Sequence, residues 1–201
     1  MTEVLVLYFS RYGATAALAR DICRGIDSVQ GAAARLRTVP PVSTVAEATE
    51  DSIPAEGPPY ASKADLAECA GLVLGSPTRF GNMSAALKYF IDGTGTEWLS
   101  GTLSGKPAGM FTSSSTLHGG QETTLISMAL PLLHHGMLIV GLPNTENALN
   151  TTTTGGSPYG ASHVTFSQKG MAQSEEETIL ARALGARVAT IAVKLDSAGN
   201  T

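Results

Sequence analysis

The chain opens its pattern with Val4-Leu5-Val6-Leu7-Tyr8-Phe9, a continuous apolar and β-rich run. A run without alternation predicts a strand buried on both faces, as in a parallel sheet. A turn at Ser10-Arg11-Tyr12-Gly13-Ala14-Thr15 separates it from Leu18, Ile22, Ile26 and Val29, whose spacing predicts a helix. Ala33 to Val39 alternates weakly and reads as a second strand, ended by Pro40 and Pro41. Residues 40–63 then form a long, proline-rich connection, of a length that marks a functional or disordered segment. Leu66 to Cys69 ends a short helix, and Gly71 to Gly75 is a third strand. A turn-rich loop from Ser76 to Asn82 precedes a helix marked by Met83, Leu87, Phe90 and Ile91. Ala108 to Phe111 is the fourth strand, followed by a polar loop from Thr112 to Gly120. Gln121 to His134 is helical, with Leu125, Met128, Ala129, Leu132 and Leu133 on one side and Pro131 expected to kink or shorten it. Met137 to Val140 is the fifth strand. Asn144 to Lys169 lacks periodicity and reads as an extended excursion. In the last helix, Ser174 and Glu177 form a capping box, followed by Leu180, Leu184, Val188, Ile191 and Leu195.

Five strands alternating with helices predict an α/β fold, a doubly wound five-stranded parallel sheet with helices on both faces. The flavodoxin-like order 2-1-3-4-5 suits five strands better than the six-strand dinucleotide arrangement. The 201 residues fit one domain, 1–201. A net charge of -4 without a Lys/Arg block argues against a nucleic-acid partner. Cys23 and Cys69 lack metal or CxxC spacing and read as reduced thiols of a cytoplasmic protein. No basic leader precedes the first apolar run, and no apolar run is long enough for membrane insertion. His, Asp and Glu show no metal spacing, so no metal is expected, and Ser, His and Asp are too scattered to support a nucleophile triad.

In a doubly wound sheet, ligands sit beyond the carboxyl ends of the strands. Three loops leave those ends here: 10–15, 76–83 and 112–121. The first runs into a helix, where free amides and the dipole favour a phosphate, with Ser10 and Thr15 adding hydroxyls. An ordinary strand-to-helix turn, capped by Ser10 or Thr15, explains that loop equally well. In the second, Pro77, Thr78, Arg79, Phe80, Gly81 and Asn82 offer a cation, an aromatic face and a tight turn to a flat heteroaromatic ligand. The bland alternative there is a solvated Arg79 and a core Phe80. The third, with Ser113, Ser114, Ser115, Thr116 and Gly119, closes the other side. That all three share one rim weakens its reading as a mere solvated loop.

Five strings together, Ser10 to Thr15, Gly75 to Met83, His118 to Thr124, His134 to Met137 and Ser157 to Ala161, resemble the WrbA family of flavodoxin-like NAD(P)H:quinone oxidoreductases. The match runs in order along nearly the whole chain, and its second and fourth strings are the specific ones. The resemblance implies FMN as cofactor and a homotetramer. It implies two-electron reduction of quinones to hydroquinones with NADH or NADPH, by hydride transfer through FMN in ping-pong order. It further implies that Ser10, Arg11, Tyr12, Gly13, Ala14 and Thr15 hold the FMN phosphate. Pro77, Thr78, Arg79, Phe80, Gly81 and Asn82 would meet the ribityl chain and ring, and Ser113, Ser114, Ser115, Thr116 and Gly119 would border the phosphate or the ring. His134 would sit near the flavin, Tyr12 would touch the nicotinamide nucleotide, and Trp98 would line the quinone pocket. Residues 114–118, 147–154 and 165–169 depart from the family pattern. The competing reading is a one-electron flavodoxin-type carrier; the modest net charge of -4 argues against it.

Overall fold

The computed structural model describes residues 1–42, 54–166 and 172–198. Its strands are β1 (Thr2–Tyr8), β2 (Ala32–Thr38), β3 (Gly71–Pro77), β4 (Pro107–Ser114), β5 (Leu138–Ile139) and β6 (Ala161–Val164). The helices are α1 (Ala14–Asp27), α2 (Lys63–Glu68), α3 (Ala85–Asp92), α4 (Gly95–Leu99), α5 (Gln121–His134), α6 (Ala148–Thr151) and α7 (Glu175–Ala198). All pairings between strands are parallel, in the order β2-β1-β3-β4-β5. No helix among the described residues is long and apolar enough to cross a membrane.

The sheet corrects one sequence expectation: it has six strands, because the supposedly structureless excursion supplies β6. β5 pairs with the start of β4, Leu138 opposite Pro107, whereas β6 pairs with its end, Ala161 to Val164 opposite Phe111 to Ser114. Two short strands thus share the lane beside β4, and the excursion, with α6 inside it, lies between them. The signal was missed because four buried residues, one of them His163, carry too little periodicity.

The two sheet faces bury separate cores. Val4, Val6 and Tyr8 of β1 pack with Leu18, Ile22 and Ile26 of α1 and Leu180, Leu184 and Val188 of α7. Leu5, Leu7, Leu72 and Leu74 face the other way, toward Leu87, Leu125, Met128 and Leu132. This explains the unbroken apolar run of β1: alternate residues serve opposite faces. In α7 the alanines 181, 189 and 192 complete the buried stripe, while Leu195 is exposed. The small side chains let α7 lie close on α1. Gly25 and Gly185 mark the crossing, for a Cβ on either would overlap the backbone of the other helix, at Arg182 or Ile22.

Pro131 sits inside α5 without shortening it, for the helix reaches His134. Only one helical turn follows the proline, so a single backbone bond is forgone. Leu133, expected on the buried side, is instead exposed, as are Ile126 and Leu130.

Candidate functional site

The carboxyl ends of β1, β3 and β4 point to one rim, and the first three loops meet there. After β1 the chain turns at Gly13, whose φ of +92° suits glycine, and enters α1. Ser10 Oγ accepts from the amides of Gly13 (3.2 Å) and Ala16 (3.3 Å) and so closes the turn. The Ala14 and Thr15 amides find no acceptor among the described residues, as expected for the first turn of a helix. That turn contains no acidic residue, so its dipole is not neutralised. Thr15 is buried, and its Oγ1 lies 2.9 Å from Ser113 Oγ at the end of β4. Arg11 stacks over the Tyr12 ring at 5.5 Å, and both are exposed.

The second loop is built around a tight turn. The Arg79 amide donates to Asn82 O (2.7 Å), and the Asn82 amide donates back to Arg79 O (3.0 Å). Phe80 and Gly81 between them have φ of +54° and +77°. Positive φ at both central positions defines a type I′ turn, for which phenylalanine is an unusual choice. The bland alternative of a core Phe80 does not hold: its side chain is fully exposed at the turn's tip. Arg79 folds inward, Nη1 donating to Thr78 O at 2.7 Å. Below the turn, Ser76 Oγ accepts from the Ser84 amide at 2.8 Å, which ties β3 to the start of α3.

The third loop is bound to the other two. The Thr78 amide donates to Ser113 O at 2.8 Å, and Thr78 Oγ1 lies 2.8 Å from Thr124 Oγ1 on α5. Ser114 Oγ and Gln121 Nε2 both donate to Thr116 O, at 2.8 and 2.9 Å. Ser115 and Thr116 are exposed and Ser114 buried. A Cβ on Gly120 would press on the Gly81 backbone, so loops two and three touch through glycine. Gln121 Oε1 is buried without a partner among the described residues. Thr124 and Gln121 fell within the His118 to Thr124 string but were given no site role in the sequence reading.

Trp98 and His134 lie elsewhere. Trp98 Nε1 donates to His134 O at 2.8 Å, beside a cavity of about 430 Å³ lined by Ile91, Thr94, Pro131 and His135 among others. His134 closes α5 at the end opposite Gly120. At 1.5 Å per residue that is about 20 Å from the three loops. Within one chain these two residues are therefore paired with each other and not with Thr15, Thr78 or Ser113. Burial lowers the pKa of His135, with Glu97 acting in the other direction. Its Nε2 bonds Thr94 Oγ1 at 2.9 Å, and its Nδ1 is buried without a partner among the described residues.

The rim suits a flat phosphorylated ring. Open helical amides at Ala14 and Thr15 stand beside buried hydroxyls, and Gly13 leaves open space over its backbone, while Gly81 and Gly120 let the second and third loops pack closely. Among the described residues, no cluster of three His, Cys, Asp or Glu has metal-binding geometry.

A parallel sheet in this order, with such loops at its switch point, defines the flavodoxin-like class of doubly wound α/β folds. Solved structures share that fold. A flavodoxin, WrbA-like protein from Agrobacterium tumefaciens aligns over 96% of this chain and 99% of its own, with TM-score 0.67 and 24% identity. A flavodoxin from the domain Archaea aligns over 96% and 99%, with TM-score 0.62 and 18% identity. More specifically, residues 5–146 match the NADPH-dependent FMN reductase family, and the chain belongs to it. The NAD(P)H dehydrogenase (quinone) of Geotalea daltonii is 44% identical, covering 96% of this chain and 98% of the relative. That of Solidesulfovibrio magneticus is 41% identical, covering 96% and 98%.

Proposed function

We propose that this protein is an FMN-dependent NAD(P)H:quinone oxidoreductase of the WrbA type, acting as a single-domain subunit of a cytoplasmic homotetramer. The carrying observation is the direct bonding of the three loops, Thr15 to Ser113 and Ser113 to Thr78, which makes one polar seat of three chain segments. Full-length relatives named NAD(P)H dehydrogenase (quinone), at 41% and 44% identity, support quinone as the acceptor. Free Cys23 and Cys69 suit a reducing compartment.

Residues 10–15 would hold the FMN phosphate, using the uncapped amides and the dipole of α1. Pro77 to Asn82 would meet the ribityl chain and ring, and Ser113 to Thr116 with Gly119 would form the opposite border. Bound there, FMN would supply two-electron hydride chemistry between NADH or NADPH and a quinone. Arg79, held against Thr78 O, keeps a positive charge near the ring seat. Tyr12 and Phe80 present exposed aromatic faces at the mouth, where a nicotinamide or a quinone can stack. Trp98 and His134 would reach this mouth from a neighbouring subunit, since their own chain keeps them about 20 Å away. The exposed Ile126, Leu130 and Leu133 on α5 give such an assembly an apolar surface to bury.

The test is a visible spectrum of purified protein given FMN. Flavin bands that shift on binding, bleach with NAD(P)H and return with benzoquinone are expected; protein that never takes up FMN overturns the reading. Initial-rate lines should be parallel, because nicotinamide and quinone use the same mouth in turn. Intersecting lines exclude the ping-pong order.

A further inference from the structure

Behind the rim lies a buried hydrogen-bonded knot of residues given no site role above. Glu177, in the first turn of α7, and His163, in β6, are each 1% exposed. His163 Nδ1 stands 2.7 Å from Glu177 Oε2, which also accepts from the Ser174 amide at 2.9 Å. Oε1 accepts from the Gly155 amide at 2.9 Å and the Val164 amide at 3.0 Å. One carboxylate therefore joins the excursion, β6 and the start of α7. A side chain at Gly155 would overlap Ser162 O and crowd Oε1, so the fit is close. A capping box needs only the Ser174 exchange. The remaining bonds serve another end.

That end is the placement of β6. β6 pairs with β4, His163 opposite Ser113 and Val164 opposite Ser114. Just beyond, the Thr165 amide donates to Ser114 O at 2.9 Å. Ser113 is the residue whose hydroxyl meets Thr15 and whose carbonyl meets Thr78. The carboxyl end of β4 is thus held on one side by β3 and on the other by a four-residue strand. So short a strand is poorly anchored by its own ladder, and its position depends on what fixes its back.

We infer that Glu177, through His163 and β6, is a positioning residue for cofactor binding: it sets the height of Ser113 and Ser114 at the phosphate end of the flavin seat. This rests on the FMN reading given above. A preorganised seat costs less to order on binding, so loosening it weakens affinity without altering chemistry at saturation.

The experiment uses full-length wild type, Glu177→Gln and His163→Gln, with Ile26→Ala as a control destabilised in the core at the far end of α1. FMN dissociation constants are measured by flavin fluorescence at a temperature well below every melting point, with kcat at saturating FMN. Glu177→Gln should raise the dissociation constant at least tenfold and His163→Gln at least threefold, with kcat within twofold of wild type. Ile26→Ala should melt earlier yet bind FMN as wild type does. If Glu177→Gln does not yield soluble protein, His163→Gln carries the test alone. Lowered melting points with unchanged FMN affinity in the Glu177 and His163 variants would reduce the knot to a stability element and overturn the inference. Wild type that fails to bind FMN would instead remove the reading beneath it.

Discussion

At the scale of single residues, side chains with unusual surroundings make the sharpest predictions. Phe80 buries nothing and sits at φ +54°, so Phe80→Gly removes no core contact and relieves a strained backbone. The melting temperature should stay level or rise by a few degrees, while KM for quinone rises if the exposed ring stacks on substrate. A fall in melting temperature of more than about 3 °C, equivalent to roughly 1 kcal/mol, would mean that the ring does pack. Glu177 predicts a pH dependence. Burial works to raise its pKa, but the His163 hydrogen bond and the Ser174 and Val164 amides outweigh that and hold it below its usual 4.5. A carboxylate depressed on folding stabilises fully above its unfolded value, and the gain is lost as pH falls through the folded one. Urea stability should therefore decline on acidification below about pH 5, and Glu177→Gln should make the decline shallower. Burial, followed by the charge of Asp27, pushes the Cys23 thiol up to about 12. Native protein at pH 8 should accordingly react slowly with Ellman's reagent, and unfolded protein fast.

At the scale of elements, the α1–α7 crossing depends on two missing side chains. Gly185→Ala places a methyl against Ile22 O, and relief requires the helices to separate. Overpacking of this kind costs about 1–3 kcal/mol, measurable as a lower urea midpoint; an unchanged midpoint would mean that the helices slide freely. These glycines were not readable as a crossing, because a sequence gives a helix's face but not the partner it lies against. What was readable were elements with dense signals. The apolar run of β1, the Leu18-Ile22-Ile26 stripe and the Ser174–Glu177 box all stand where periodicity and capping chemistry put them. α4 and β6 went unread because five and four residues carry less than two turns or two full alternations. In the site, the loops were legible from their Ser, Thr and Gly content. The bonds of Thr78 to Thr124 and of Thr116 to Gln121 were not, since Thr124 and Gln121 serve a helix and a rim at once. Residues 43–53 and 167–171, which include part of the long connection and part of the 165–169 departure, lie outside the described residues.

At the scale of the whole molecule, the separation of Trp98 and His134 from the three loops predicts complementation between chains. Thr15→Val should weaken the phosphate seat and Trp98→Ala the quinone wall. Each variant alone should show low activity, and subunits mixed under conditions that permit exchange should recover part of it. Mixtures no better than the average of their parents would place the two residues outside the working site. Dilution should lower activity in the same range where it dissociates the assembly.

The lane shared by β5 and β6 has a consequence for how this chain tolerates being cut. Each half is zipped to β4 in its own register, so neither relies on covalent continuity with the other. A backbone opened near Asn150 would leave an amino-terminal piece ending after β5 and a carboxyl-terminal piece carrying Gly155, β6 and α7 together. Two such fragments, expressed separately, should find each other and rebuild the flavin seat, which makes this protein a candidate for a split reporter whose yellow colour appears only on reunion.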